Sequence, residues 1–153
     1  MTPALRDEIQ KVLDRQGTSD LAFDSIACKI LGEFDAQTAV VYTLDAGTGM
    51  LKLRCHCGLD REAAARIRFL CVGKGLAGRA ASTREPVEGM RHAASVCVEE
   101  RETLPEGSLF VPMVTENSLR GVLGIAKNFH PNYAPDEVAD LTSVARLIAT
   151  YLK

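Results

Sequence analysis

Three glycines in the middle of the chain have the spacing of a known phosphate-binding motif. Gly73, Gly75 and Gly78 match G-x-G-x-x-G, which in dinucleotide-binding proteins lets the backbone approach a pyrophosphate. That function also requires parallel strands joined by crossover helices, with a long helix after the glycines. Here Pro86 ends the helix after about two turns, and the flanking strands form hairpins. A phosphate P-loop is also excluded, because Lys74 is followed by glycine and not by Ser or Thr.

The glycines therefore have a structural interpretation. We predict that Gly73 and Gly75 supply positive φ angles for a strand-to-helix turn. Gly78, which lies in the short helix that follows, should allow that helix to pack close to the sheet.

Sulfur and imidazole groups are the second set of candidate reactive residues. A zinc site could use the adjacent Cys55, His56 and Cys57, but alternation along a strand places His56 on the face opposite both cysteines. We therefore expect no metal site and interpret Cys55 and Cys57 as small apolar core residues. The number of cysteines is odd, and no two of them form a C-x-x-C pair, which favours reduced thiols in a reducing compartment. The cysteines are Cys28, Cys55, Cys57, Cys71 and Cys97.

Composition limits the classes of protein to consider. The 153 residues suffice for one domain with a real core, and the net charge of -2 and the 46% hydrophobic fraction are average for a globular protein. We expect neither disorder nor nucleic-acid binding. No apolar run is long enough for a membrane span, and the first residues lack a signal-peptide pattern. The expected location is the cytoplasm.

Hydrophobic periodicity predicts the elements that position these groups. Helices are predicted over residues 3–15, 21–33, 60–68, 76–83 and 135–153. Strands are predicted over residues 39–44, 50–57, 69–72, 108–114 and 119–127, and residues 88–106 are predicted to be a loop. Pro112 should lie on an edge strand or beside a bulge, since it cannot donate a ladder hydrogen bond.

Strict alternation is expected in the strand over residues 50–57. One face should carry Leu51, Leu53, Cys55 and Cys57, and the other Lys52, Arg54 and His56.

Several motifs along the chain occur in the order seen in one family. They are Gly58-Leu59, the stretch Val72-Gly73-Lys74-Gly75-Leu76-Ala77-Gly78-Arg79-Ala80, Glu85-Pro86-Val87, Val111-Pro112-Met113, Leu119-Arg120-Gly121-Val122-Leu123-Gly124-Ile125, Glu137-Val138-Ala139-Asp140-Leu141 and Val144-Ala145. In this order the chain resembles the GAF domain, a sensor module of signalling proteins, over about residues 20–152. The resemblance implies an α+β fold with a central antiparallel sheet of five or six strands. The N- and C-terminal helices would cover one face, and short helices and loops would enclose a ligand pocket on the other. We divide the chain into an N-terminal amphipathic helix (1–17) and a GAF-like domain (18–153).

The resemblance also implies where a ligand would bind and what the protein would do. The candidate lining residues are Phe69, Cys71, Leu76, Arg79, Arg91, His92, Val96, Cys97, Phe110 and Pro112. The expected role is a non-catalytic sensor that binds a small molecule, forms a homodimer through its terminal helices, or both, with an output domain elsewhere. No cofactor can be assigned. The alternative is a small redox enzyme that reduces free methionine sulfoxide and uses Cys97.

Cyclic nucleotides are a weaker possibility within this family. GAF domains that bind them share an N-K, F, D-E signature. Here Lys127-Asn128, Tyr133 and Asp136-Glu137 reproduce it with the first pair reversed and Tyr in place of Phe. Both acids also suit the first turn of a helix, and we therefore do not expect a cyclic nucleotide.

Overall fold

A computed structural model describes residues 3–90, 107–116, 118–127 and 133–152 of the chain. Its helices in these segments are α1 (Pro3–Gln16), α2 (Asp20–Glu33), α3 (Arg61–Arg66), α4 (Gly75–Thr83) and α5 (Pro135–Tyr151). The strands are β1 (Thr38–Leu44), β2 (Met50–Cys57), β3 (Phe69–Cys71), β4 (Val87–Met90), β5 (Gly107–Thr115) and β6 (Ser118–Lys127). Four of the predicted lining residues, Arg91, His92, Val96 and Cys97, lie outside the described segments.

The six strands form one sheet in the order β3-β2-β1-β6-β5-β4. Every neighbouring pair is antiparallel. This confirms the predicted α+β class with a central antiparallel sheet. It also removes the dinucleotide-binding interpretation, which requires parallel strands. Within the described segments, none of the helices combines the length and the hydrophobicity that a membrane span requires.

Helices α2 and α5 cover one face of the sheet, and α1 packs against both of them; the three helices are here called the helix layer. Its core includes Phe23 and Ile26 of α2 and Val144 and Ile148 of α5, all fully buried. Ser19 begins α2 by accepting the N–H of Ala22 at 3.2 Å, the side-chain cap that a helix N-terminus favours.

Helix α1 packs against α2 and α5 of the same chain. Its apolar stripe is buried there, with Leu5, Ile9 and Leu13 no more than 3% exposed. Tyr151 near the end of α5 donates its hydroxyl to Asp14 of α1. The apolar side of the N-terminal amphipathic helix is therefore used within the protomer.

The other face, here called the α4 face, carries a second apolar cluster that includes Tyr42, Leu51, Ile67, Leu76 and Phe110. The buried hydroxyl of Tyr42 donates to the carbonyl of Ile67 at 2.8 Å. This bond ties the chain after α3 to the middle of the sheet.

The predicted alternation of β2 is wrong, because the strand contains a bulge. Tyr42 pairs with Leu53 and Val41 with Cys55, so Arg54 has no partner residue on β1. An extra residue reverses the side-chain alternation beyond it. Leu51 and Leu53 consequently join the α4 face, whereas Cys55 and Cys57 join the helix layer.

The prediction for Pro112 is confirmed. Strand β4 pairs only with the first residues of β5, from Gly107 to Phe110, so at Pro112 the strand has an open edge on that side within the described segments. A register shift between Met113 and Val114 follows directly.

Candidate ligand-binding site

The glycine turn adopts the predicted structure. Gly73 and Gly75 have φ angles of +94° and +69°, and a Cβ on Gly78 would lie 2.2 Å from the carbonyl oxygen of Cys71. Two backbone N–H groups of the turn, from Gly73 and Lys74, donate hydrogen bonds to nearby backbone carbonyls. That of Gly73 donates to the carbonyl of Gly78 at 2.7 Å, and that of Lys74 to Cys71 at 3.2 Å. These N–H groups are thus already satisfied and do not form a phosphate cradle.

Strand register aligns the side chains of the α4 face in rows across the sheet. Antiparallel partners point to the same face, so each row can be followed from strand to strand. One row runs through Val87, Phe110, Gly124, Val40 and His56, and the next through Pro112, Val122, Tyr42 and Leu53.

Two glycines allow large side chains to lie flat on this face. A Cβ on Gly124 would lie 2.4 Å from the Phe110 ring, and one on Gly89 would lie 2.6 Å from a methyl of Leu76. Both distances are shorter than real Cβ contacts allow, so a larger residue would displace Phe110 or Leu76. The α4 face is therefore an apolar surface whose shape depends on having glycine at Gly89 of β4 and Gly124 of β6.

The described lining residues divide into two groups. Leu76, Phe110 and Pro112 are buried together on the α4 face, on or beside the two rows. Phe69 and Cys71 do not join them. Leu70 between them points into the α4-face cluster, so its neighbours on β3 face the opposite side, and both are exposed.

Arg79 lies on α4 and is exposed. It is the one predicted cationic lining residue in the described segments, since Arg91 and His92 fall outside them. If Arg79 contacts a ligand, it does so at the exposed edge of the α4 face and not among its buried residues.

His56 is a candidate site residue that the sequence interpretation missed. It occupies the end of the row that contains Phe110. Its Nδ1 atom is buried and has no hydrogen-bond partner among the described residues, which leaves a polar group unsatisfied. In the sequence, His56 suggests a function only as a possible metal ligand beside the adjacent cysteines. The signal that could have identified it, its place opposite Val40, depends on the bulge.

Polar contacts hold the edge of the sheet to the start of α5. Lys127 at the end of β6 forms an ion pair with Glu137 at 2.6 Å, and the other oxygen of Glu137 accepts the N–H of Ala134 at 3.1 Å. The hydroxyl of Tyr133 donates to the carbonyl of Gly107 at 2.7 Å, and its backbone N–H donates to Glu88 at 2.8 Å. Glu137 thus caps its helix, as predicted for an acid in the first turn, and also binds Lys127.

Burial raises the pKa of the Tyr133 hydroxyl well above its usual range, with smaller contributions from Glu137 and Glu88. The group is therefore a neutral donor at physiological pH, consistent with its bond to a backbone carbonyl. Among the segments described, no three His, Cys, Asp or Glu side chains converge as metal ligands.

These features define a class: an α+β domain with a six-stranded antiparallel sheet, a helix layer on one face and a glycine turn beside an apolar cluster on the other. The family model described as "GAF domain" matches residues 13–153. The chain belongs to the GAF domain family. No curated protein matches the sequence.

Solved structures share the fold at low sequence identity. The GAF domain of a phosphoenolpyruvate-protein phosphotransferase from Coxiella burnetii has a TM-score of 0.82 and 18% identity, covering 97% of this chain and 90% of that chain. The corresponding domain from Acinetobacter has a TM-score of 0.76 and 17% identity, with coverage of 99% and 93%. The free methionine-R-sulfoxide reductase from Neisseria meningitidis, solved with its substrate, has a TM-score of 0.81 and 15% identity, with coverage of 96% and 85%.

Proposed function

We propose that this GAF domain is a non-catalytic sensor module that binds a small molecule on its α4 face. The observation that supports the proposal best is the unpartnered Nδ1 of His56, buried at the end of a row of apolar side chains. A buried polar atom without a partner costs about 1–3 kcal/mol. A ligand that forms a hydrogen bond with Nδ1 recovers this cost.

The geometry of the sheet also favours this position. Met90 pairs directly with Gly107, so the whole stretch 91–106 is inserted between two neighbouring paired strands. Long insertions of this kind are commonly functional. His56, Val40 and Phe110 lie towards the same end of the sheet, near the start of β5. A ligand there would lie next to the buried residues Leu76, Phe110 and Pro112, with the exposed Arg79 at the edge of the site.

Regulation of a larger assembly is part of the proposal. Two similar structures are GAF domains of phosphoenolpyruvate-protein phosphotransferases, which supports a regulatory role next to an output domain. We also propose dimerisation through the terminal helices, but not through the apolar side of α1. Since the apolar stripe of α1 is buried within the protomer, a dimer would use the charged outer side of α1, and its affinity would fall as salt rises. We place the domain in the cytoplasm on the same grounds as its expected reduced thiols.

The second candidate is a methionine sulfoxide reductase that uses Cys97. It is favoured by the likeness in fold to the Neisseria meningitidis enzyme. Its chemistry needs a reactive cysteine near the bound sulfoxide, and Cys97 lies outside the described segments. Turnover of free methionine-R-sulfoxide with a thiol reductant, abolished by Cys97→Ser, would establish the enzyme in place of the sensor.

Native mass spectrometry with an absorption spectrum tests the sensor proposal. Protein purified from cells should carry a non-covalent adduct of defined mass, and the same spectrum reports monomer or dimer. His56→Ala and Arg79→Ala should each lower the occupied fraction. The matched control is Arg146→Ala, which removes an exposed arginine from α5 on the opposite face and should leave occupancy unchanged. Equal occupancy in all three variants would refute binding on the α4 face.

A further inference from the structure

Two cysteines from different elements lie side by side in the helix layer. Cys28 on α2 and Cys57 at the end of β2 have their Sγ atoms 3.1 Å apart, with either thiol able to donate to the other. They are separated by 29 positions in the sequence, so folding alone brings them together. Cys28 is exposed and Cys57 is half-buried.

We propose that Cys28 and Cys57 form a dithiol–disulfide site, which a small disulfide such as glutathione disulfide oxidises to a bond linking α2 to β2. A disulfide has an S–S length of about 2.05 Å, so the two sulfur atoms must approach each other by about 1 Å. A small rotation about χ1 of the exposed helical cysteine provides such a movement. The site lies on the face of the sheet opposite the proposed ligand site and is independent of it.

The exchange proceeds in two balanced steps. The thiolate of Cys28 attacks one sulfur of glutathione disulfide, and one glutathione thiolate leaves while a Cys28–glutathione mixed disulfide forms. Cys57 then loses its proton to solvent, and its thiolate attacks Sγ of Cys28 and displaces the second glutathione. Two protein thiols are oxidised, and one glutathione disulfide is reduced to two thiols.

Exposure and environment assign the two roles. Cys28 is the thiol that a dissolved disulfide can reach. The pKa of Cys57 is raised to about 11, mainly by burial and to a smaller extent by the hydrogen bond with Cys28 and the charge of Asp24. Because the thiolate is the nucleophile, Cys57 suits the second, intramolecular step, where its partner sulfur is already in contact.

The third cysteine of the helix layer is a poor participant. Cys55 is 4% exposed, and its thiol donates to the backbone carbonyl of Phe23 at 3.1 Å. Burial raises the pKa of its thiol well above the usual range. The structure therefore selects Cys57, and not the neighbouring Cys55, as the partner of Cys28.

The disulfide would act on the helix layer. It would fix α2, which packs against α1, to the point where β2 ends before Gly58. The φ of Gly58 is +93°, and a Cβ there would lie 2.0 Å from the carbonyl oxygen of Gln37, so this end of the strand has little freedom to shift. Oxidation should therefore restrain α2 and leave the α4 face unchanged.

Glutathione redox buffers and intact-mass measurement test the site in the full chain. Wild-type protein with excess glutathione disulfide should lose two titratable thiols and about 2 Da, and dithiothreitol should reverse both changes. Trypsin should yield residues 16–29 joined to residues 55–61, with fragmentation placing the bond on Cys57. Cys57→Ser should stop at the Cys28–glutathione mixed disulfide, and Cys28→Ser should give no intramolecular bond.

The matched control is Cys71→Ser, which removes another exposed cysteine, on β3, and should oxidise as the wild type does. The whole series is made in a Cys97→Ser background, so that Cys97 cannot contribute a bond. A wild-type protein that keeps both thiols, or a bond from Cys28 to Cys55, would overturn the proposal. So would the failure of Cys57→Ser to accumulate the mixed disulfide. Loss of the ligand adduct in His56→Ala without any change in oxidation would separate this site from the proposed sensor function.

Discussion

Replacing Gly78 by alanine should destabilise the domain, although alanine is the better helix former. The substitution gains about 1 kcal/mol in helix propensity. The new Cβ would lie 2.2 Å from the carbonyl oxygen of Cys71, an atom of the β3 backbone that also accepts the N–H of Lys74. Helix α4 must therefore move by about 1 Å, and overpacking of this kind costs about 3 kcal/mol when backbone is the obstacle. The expected net loss is about 2 kcal/mol.

Gly32→Ala provides the matched control, because it changes a helical glycine in α2 that has nothing within 4 Å of its added Cβ. This variant should gain about 0.5–1 kcal/mol. Urea unfolding measures both, and a shift of about 2–4 °C in Tm per kcal/mol gives an independent check. The two substitutions should thus have opposite signs. If Gly78→Ala stabilises the protein as Gly32→Ala does, the close contact between α4 and β3 is not a constraint, and the structural interpretation of the glycine motif is wrong.

Three further predictions concern the two cores and the thiols. Tyr42→Phe should lower the free energy of unfolding by about 1–2 kcal/mol, because the carbonyl of Ile67 loses its buried donor; an unchanged urea midpoint would contradict this. Ile9→Ala should cost about 2–4 kcal/mol if the α1 stripe is buried within each protomer, whereas the exposed Lys11→Ala should cost nothing measurable at any protein concentration. The folded protein raises the pKa of Cys57 to about 11 from a usual value of 9.0, so its contribution to stability is complete below pH 9 and is lost as pH rises towards 11. Urea titrations should show a shallower loss in this window for Cys57→Ser than for the wild type.

Much of the fold was predictable because local patterns and packing agree. The antiparallel hairpins, the glycine turn and the order of the helices follow from alternation, turn residues and caps, and the structure confirms them. The amphipathic helix at the N-terminus is present as α1, but periodicity shows only that an apolar stripe will be buried and not which helices will cover it. The structure buries it against α2 and α5 of the same chain. The predicted use of α1 in a dimer stays a prediction.

The candidate site was less predictable, because it depends on which face of the sheet each residue occupies. Phe110 and Pro112 share one face because the alternation of β5 is regular between them, and Leu76 of α4 packs into the apolar cluster on that face. Phe69 and Cys71 do not, because Leu70 takes the inward position on a strand of three residues. A resemblance transfers positions along the chain, and a shift of one residue in a short strand exchanges the two faces.

The bulge at Arg54 determines both proposed sites. Without it, regular alternation from Leu51 would place Cys55 and Cys57 on the α4 face and His56 in the helix layer. The extra residue reverses this, which brings Cys57 to Cys28 and His56 to the row of Phe110. Contacts with the start of α2 explain why Arg54 occupies the bulge. Its guanidinium donates to the carbonyl of Thr18 at 2.7 Å, lies 3.1 Å from Asp20 and stacks 4.7 Å from the centre of the Phe23 ring. The side chain of Arg54, which interrupts the alternation of β2, is thus held in place by contacts at the start of α2, the helix that carries Cys28.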